Sequence, residues 1–249
     1  MDKLSILIPA FNNEEIITDC LESAKWADEI FVVDSFSTDR TLEICKQYTN
    51  KVIQHEYINS ATQKNWAIPQ MSHPWVMVLD TDERITPELR EEIQGILKDN
   101  KGYVGFRIRR INSFFGKQMN GCGWDKDWVL RIFKKDLGRY LDREVHADVV
   151  IKGKIGELEN CLIHNSYTSM EQYVNKFQRY TSWLSLELQK KGVKVKWYHI
   201  LFRPIWRFFK MYILQRGFTQ GIRGLILSWL GMMSVFMKYA KLWDKQRDN

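Results

Sequence analysis

For its first hundred residues the chain alternates short apolar runs with amphipathic stretches, and the apolar runs end on acidic or polar residues. Leu4–Pro9, Ile30–Val33, Val52–His55 and Trp75–Leu79 read as strands. The last is five apolar residues without a break, the pattern of a strand buried on both faces. After the first run, Asn12 stands as an N-cap with Glu15 three residues later, in the manner of a capping box. Ile17, Cys20, Leu21 and Ala24 then recur at helical spacing. After the second, Ser37 or Thr38 is expected to cap a helix carrying Leu42, Cys45 and Tyr48. Thr86-Pro87-Glu88 opens another, with proline suited to the first turn. Alternation in this order predicts a parallel, doubly wound sheet with ligands at the carboxyl ends of its strands.

Beyond residue 100 the pattern shifts to shorter strands in a mixed sheet, at Tyr103–Arg109, Trp128–Phe133, Val149–Ile151 and Cys161–His164. The loop 112–127 is rich in Gly, Asn and aromatics. Thr168-x-x-Glu171 predicts a capping box opening a helix to about Lys190. Its stripe Tyr173, Phe177, Tyr180, Leu184 and Leu188 is expected to pack on the core.

At 249 residues the chain is long enough for one large α/β domain with an appendage. Cys20, Cys45, Cys122 and Cys161 lack zinc or redox spacing and read as reduced thiols of a cytosolic protein. No charged-then-apolar signal sequence is expected, because the N-terminus runs straight into a strand. The net charge of +7 is unevenly spread. Eleven of the 37 basic residues lie between Leu188 and Trp243 with no acidic residue among them, leaving 26 against 30 acidic residues elsewhere. That describes a mildly acidic domain with a basic, aromatic tail, not a nucleic-acid binder with a basic main domain.

The strand ends carry the chemistry. In order they present Pro9–Glu14, Asp34–Asp39 and Asp80-Thr81-Asp82, with Gln63-Lys64-Asn65 between the second and third. Carboxylates at i and i+2 where a buried strand runs out can converge on one hard cation, since Mg²⁺ and Mn²⁺ are commonly held by one or two carboxylates plus water and substrate phosphate. The competing reading of Asp-x-Asp is a polar turn. Three acidic strand ends on one edge of a parallel sheet favour the ligand site, because nucleotides bind there. Asp34 suits a base or ribose. Lys64 suits a phosphate, or is a surface lysine.

At this point the order and spacing resemble glycosyltransferase family 2. Pro9–Glu14 stands where that family has Pro-x-Tyr-Asn-x-Glu, with Phe11 in the tyrosine position. Val33–Asp39 resembles its Val-Asp-x-x-Ser-Thr-Asp element, without the usual second acid and glycine. Gln63-Lys64-Asn65 is similar to the helix start that follows, and Leu79–Glu83 to the metal-binding Asp-x-Asp. Leu130–Phe133, Glu144-Val145-His146 and Leu162–Tyr167 resemble a subgroup that includes lipopolysaccharide core β-glucosyltransferases.

The resemblance implies a Rossmann-like glycosyltransferase A fold with a mixed central sheet, plus C-terminal amphipathic helices. It implies inverting transfer of a hexose, glucose favoured, from a UDP-sugar donor to a lipid-linked glycan acceptor. Residues 1–100 would form the nucleotide-sugar-binding half and 101–191 the acceptor-binding and catalytic half of one domain, with 192–249 left as the basic aromatic helical tail. Pro9, Phe11, Asn12, Glu14, Asp34, Lys64, Asp80 and Arg131 would surround the nucleotide and its diphosphate. A Mg²⁺ or Mn²⁺ ion would be held by Asp82, with Asp80 and His164 as further ligands; a satisfied core or surface histidine is the rival reading of His164. Glu144 is favoured as the base, with His146 two residues on as an orienting group or the base itself. Arg131 meets the diphosphate or pairs with Glu144. Trp124 and Asp125 stand as sugar-stacking and hydroxyl-binding groups, against an ordinary buried tryptophan.

In the tail, aromatic residues from Trp197 to Tyr239 interleave with Arg203, Arg207, Lys210, Arg216 and Arg223. The longest uncharged run, Gly224–Met237, is 14 residues, short of the ~20 needed to span a bilayer. Cationic, aromatic amphipathic helices suit an anionic membrane surface, where each basic residue is worth about 1 kcal/mol. The expected location is therefore the inner face of the cell membrane, held peripherally. The competing reading packs these helices on the catalytic domain as an oligomer interface. Two other functions fit parts of the pattern: a haloacid dehalogenase-like phosphohydrolase, which also uses Asp-x-Asp after a strand, and a non-catalytic membrane-surface adaptor. Against the first, the motif comes after two strand–helix units, and Arg84 stands where those enzymes have a small hydroxyl residue.

Overall fold

The computed structural model describes residues 2–141 and 148–247. In chain order its elements are β1 (Leu4–Ala10), α1 (Ile17–Ala24), β2 (Glu29–Asp34), α2 (Thr41–Tyr48), β3 (Val52–Gln54), α3 (Ser60–Ala67), β4 (Trp75–Val78), β5 (Glu83–Ile85) and α4 (Pro87–Lys98). There follow β6 (Gly105–Phe114), β7 (Lys117–Gln118), β8 (Trp128–Lys134), β9 (Gly138–Tyr140), β10 (Val149–Ile151), β11 (Ile155–Tyr167), α5 (Met170–Lys190), α6 (Trp197–Phe209) and α7 (Gly221–Arg247).

The main sheet runs β3-β2-β1-β4-β8-β6-β11-β5, with β7 beside β6; β9 and β10 form a separate pair. β3, β2, β1 and β4 are parallel, while β8 is antiparallel to both β4 and β6. Most of the antiparallel strands come after residue 100, where the sequence pattern changes; β5, unexpected from the sequence, precedes α4 and pairs antiparallel with β11. Period-two alternation divides the core. Leu4, Ile6 and Ile8 face α1 and α4 through Cys20, Leu21, Leu89 and Ile93. Leu7, Phe31, Val33, Val76 and Val78 face the opposite side with Ala61 and Ala67 of α3. Because β1 and β4 are buried on both faces, they read as continuous apolar runs.

Contacts divide the described chain into two compact units, one of residues 1–110 and 128–164 and one of 111–127 and 165–249. The first holds the parallel strands. In the second, Phe114, Met119, Cys122, Tyr173, Met211 and Leu227 form a small core, and Trp124 packs against Phe114 and Tyr167 within it. Trp124 is therefore partly buried here, packed against that core. Lys241 of α7 donates to Gln178, Thr181 and Ser182 of α5, fastening the two helices.

Several helix starts differ from expectation. Asn12 does not cap α1, whose N-cap is Ile16 without a side-chain bond. Asn12 sits in the left-handed region, and its Oδ1 accepts from the Thr38 N–H at 2.8 Å. Neither Ser37 nor Thr38 caps α2; Asp39 Oδ1 accepts from the Thr41 N–H at 2.9 Å, and Ser37 is taken by Asp34. α5 is capped by Ser169, one residue later than expected, its Oγ accepting from the Gln172 N–H, while Gln172 Oε1 accepts from the Thr168 N–H. Thr86 caps α4 and proline takes its first turn, as expected.

Candidate active site

The carboxyl ends of β1, β2 and β4 lie side by side, because register pairs Ala10 with Asp34 and Leu7 with Val78. Their loops are cross-tied. Asn12 N–H donates to Ser37 Oγ, Glu14 N–H to Asp39, and Glu14 accepts from the Arg40 N–H. Asn12 and Glu14 therefore shape the rim by joining the first two loops. Asp34 is fully buried and accepts from Ser37 N–H, Ser37 Oγ and Gln54 Nε2. It holds the loop from beneath. Phe36 in that loop is forced to φ 59°, a conformation costly for an aromatic residue, and both it and Phe11 are exposed. Two exposed aromatic rings thus stand on the loops at the carboxyl edge of the parallel strands.

Asp80 follows β4 and is the hub of a charge network. Arg131 of β8 meets its Oδ2 at 2.5 Å and Lys64 of α3 its Oδ1 at 3.2 Å. Arg131 also meets Glu83 at 2.5 Å, and Arg110 meets Glu83 at 3.2 Å. Glu83 has no solvent exposure and accepts from the Asp80 backbone N–H at 3.1 Å. Burial would raise the Asp80 carboxyl, but Arg131 and Lys64 outweigh it and hold the group well below the usual carboxylate range. Burial would likewise lower Arg131 and Lys64; the Asp80 charge keeps both cationic, with Glu83 adding at Arg131. Lys64 is accordingly no surface lysine. It is buried, and it lies 5.3 Å from the ring centre of Tyr140. Asn65 fixes that ring's strand by bonding the Tyr140 carbonyl and N–H, at 2.8 and 2.9 Å. Two buried polar atoms beside the network, Arg131 Nε and Tyr140 Oη, have no hydrogen-bond partner among the described residues.

Asp82, two residues on, is partly exposed. Its Oδ2 lies 3.5 Å from Nε2 of His164, which β11 brings alongside through the register pairing His164 with Glu83. Among the described residues no three His, Cys, Asp or Glu side chains converge on one point. A divalent cation here would take Asp82 and His164 from the protein and complete its shell with water and substrate oxygens, the habit of magnesium at diphosphates. The residues fit such an ion.

Glu144 and His146 lie outside the described residues, as does any pairing of Arg131 with Glu144. Glu83, Arg110, Tyr140 and Gln54 were not singled out by sequence reasoning. Glu83 carries a signal, an acid immediately after Asp-x-Asp; Tyr140 and Gln54 carry none, since their roles arise from packing.

Comparison with known proteins follows the same lines. Residues 5–150 match the family model described as glycosyl transferase family 2. A lipopolysaccharide core biosynthesis glycosyltransferase, LpsC, of Rhizobium meliloti is 27% identical over 97% of this chain and 92% of its own length. An uncharacterized glycosyltransferase of Rickettsia typhi is 30% identical over 97% and 87%. The structure of Staphylococcus aureus TarS 1–349 in complex with UDP-GlcNAc superposes with a TM-score of 0.51 at 15% identity, covering 99% of this chain and 92% of that one. That likeness is one of fold, the glycosyltransferase A fold. The matches leave no ground for the phosphohydrolase alternative. The chain belongs to glycosyl transferase family 2.

Proposed function

We propose that the protein is a metal-dependent, inverting hexosyltransferase that moves glucose, or a close relative, from a UDP-sugar to a hydroxyl of a lipid-linked glycan such as the lipopolysaccharide core. The observation that carries the reading is the strand end at Asp80–Asp82: one carboxylate fixed between two buried cations, the next facing His164 at 3.5 Å. The TarS complex with UDP-GlcNAc supports the donor class, and the LpsC relative supports the acceptor class.

In this reading Phe11 and Phe36 flank the base, while Asp34 holds the loop beneath it. Asp82 and His164 would hold the Mg²⁺ or Mn²⁺ ion, which when bound neutralises charge on the departing diphosphate. Lys64 and Arg131 add fixed positive charge at the same edge, already oriented and dry, where electrostatic stabilisation is largest. Glu144, with His146 as the alternative, accepts the proton of the acceptor hydroxyl. The acceptor oxygen then bonds to the anomeric carbon from the face opposite the leaving diphosphate. The carbon–oxygen bond to the diphosphate breaks with its electron pair, so the configuration inverts without a covalent intermediate.

The test is a panel of nucleotide sugars with manganese or magnesium, read as nucleotide release, beside a thermal-shift panel of free nucleotides. UDP should raise the melting temperature, and Asp82→Asn should cut UDP release by about 10²–10³-fold. Stabilisation by another nucleotide but not UDP would overturn the donor class. An unchanged rate in Asp82→Asn would overturn the site.

A further inference from the structure

We infer that α6 is an in-plane membrane helix that seats its outer half in the headgroup region of an anionic phospholipid leaflet. The inference rests on the membrane-linked acceptor proposed above and names the element and lipid class.

At 3.6 residues per turn, Trp197, Leu201, Phe202, Ile205, Trp206 and Phe209 fall within an arc of ~180° on one side of α6. Each is exposed, from 44% at Phe209 to 65% at Trp197. No charged residue lies inside that arc. Lys196, Arg203 and Lys210 lie outside it and are exposed. The other side of the helix is occupied: His199 stacks on Tyr239 of α7 at 5.1 Å, Arg203 bonds the Tyr239 hydroxyl, and Pro204 is buried. The result is a helix anchored on one side through His199, Arg203 and Pro204, with an uncharged, largely apolar and exposed face on the other. Phe218, Ile222 and Trp229 are further exposed apolar residues of the same unit. A charge-free, exposed apolar helix face of this kind marks an interaction site.

Charge decides the occupant. With eleven cations and no anion from Leu188 to Trp243, a second copy of this segment would meet its own charge across a two-fold interface. An anionic leaflet is complementary in both respects, taking the aromatic and aliphatic groups at the acyl boundary and the lysines and arginines at the phosphates. An in-plane pose also fits α7. Among the described residues Gly217–Arg247 is the one segment long and apolar enough to cross a membrane. Within it, Lys241 is committed to α5, and Tyr239 and Leu242 are buried. That helix is fastened to protein along the side those residues define.

The experiment is co-sedimentation of the whole chain with vesicles of phosphatidylcholine alone or mixed equally with phosphatidylglycerol, at low and high salt. Wild type should bind the mixed vesicles about tenfold more tightly than the neutral ones, and lose most of that difference in high salt. Leu201→Glu with Ile205→Glu should weaken binding to mixed vesicles by at least about tenfold, with melting temperature and UDP release unchanged. Should that pair disturb folding, Lys194→Gln, Lys196→Gln and Lys210→Gln together serve, and should remove the preference for anionic lipid. Equal binding to both vesicles, or full binding by either variant, overturns the inference. So does a lipid-free dimer, by analytical ultracentrifugation, that Leu201→Glu and Ile205→Glu dissociate. Asp82→Asn separates the two proposals: it should stop UDP release and pellet as wild type does.

Discussion

Glu83 offers a test of the charge network that needs no substrate. Its carboxylate is sealed from solvent and is the counter-ion of Arg131 at 2.5 Å and Arg110 at 3.2 Å. Glu83→Gln keeps the shape and one acceptor but removes the negative charge. Asp80 then remains the sole anion described for the buried cations Lys64 and Arg131. Removing one partner of a buried ion pair costs about 3–5 kcal/mol, because the remaining charge has lost its water and gained nothing. The retained amide oxygen puts Glu83→Gln at the lower end, about 3 kcal/mol. For a chain of this size each kcal/mol lowers the melting temperature by roughly 2–4 °C, so the expected fall is about 6–12 °C. Thermal melts followed by circular dichroism measure it, with Glu91→Gln on the exposed face of α4 as the control, expected within about 1–2 °C of wild type. A fall no greater than the control's would show that Arg131 and Arg110 do not depend on Glu83, and the hub described above would be wrong.

Burial holds the His199 imidazole below its ordinary value of 6.5, with Arg203 and Lys196 adding to the effect, and its Nδ1 accepts from the Lys196 N–H at 3.2 Å. Because the folded form is the neutral one, this contribution is complete above about pH 6.5 and is lost as pH falls through the lower folded-state value. Melting temperature should therefore drop as pH falls below about 6.5, and His199→Gln should flatten that part of the profile. An identical profile in the variant would refute the assignment. At Gly224 an added Cβ would overlap the Gly217 carbonyl oxygen. Gly224→Ala must push backbone apart and should cost about 1–3 kcal/mol by urea unfolding, whereas Gly95→Ala, with nothing near its Cβ, should be neutral or stabilising. His164→Gln should raise the manganese concentration giving half-maximal UDP release by about tenfold or more while leaving the melting temperature in place; an unchanged metal dependence would remove His164 from the ion's shell.

What could be read from the sequence and what could not follows from the range of the forces involved. Strands β1, β2 and β4 were legible because burial on both faces leaves no polar position, a constraint that acts residue by residue. Asp80 and Asp82 were legible as a motif at the end of such a strand. The cap at Asn12 misled because a short polar side chain tolerates the left-handed region, and the loop uses Asn12 there to reach Thr38, 26 positions away. The strand holding Cys161–His164 came out longer, at Ile155–Tyr167, since its exposed acidic positions break the apolar pattern without breaking the ladder.

The same distinction governs the site. Lys64, read as phosphate-facing or surface, is buried against Asp80; that could not be known until α3 and β4 were packed side by side. The consequence reaches the chemistry. A lysine and an arginine already paired with Asp80 need no reorientation when a diphosphate arrives, and their charges are partly compensated beforehand. In the proposed function the donor diphosphate would meet a partly compensated cluster, in which its oxygens compete with Asp80 for the same two cations. Such a site binds the ground state less tightly than bare cations would and gains most as negative charge grows on the leaving group, the condition under which binding energy speeds a reaction. Asp80→Asn should accordingly tighten UDP binding or leave it unchanged while lowering turnover, a split between Kd and kcat that simple loss of a metal ligand would not give. Weaker UDP binding in that variant would return Asp80 to the role of a direct metal ligand.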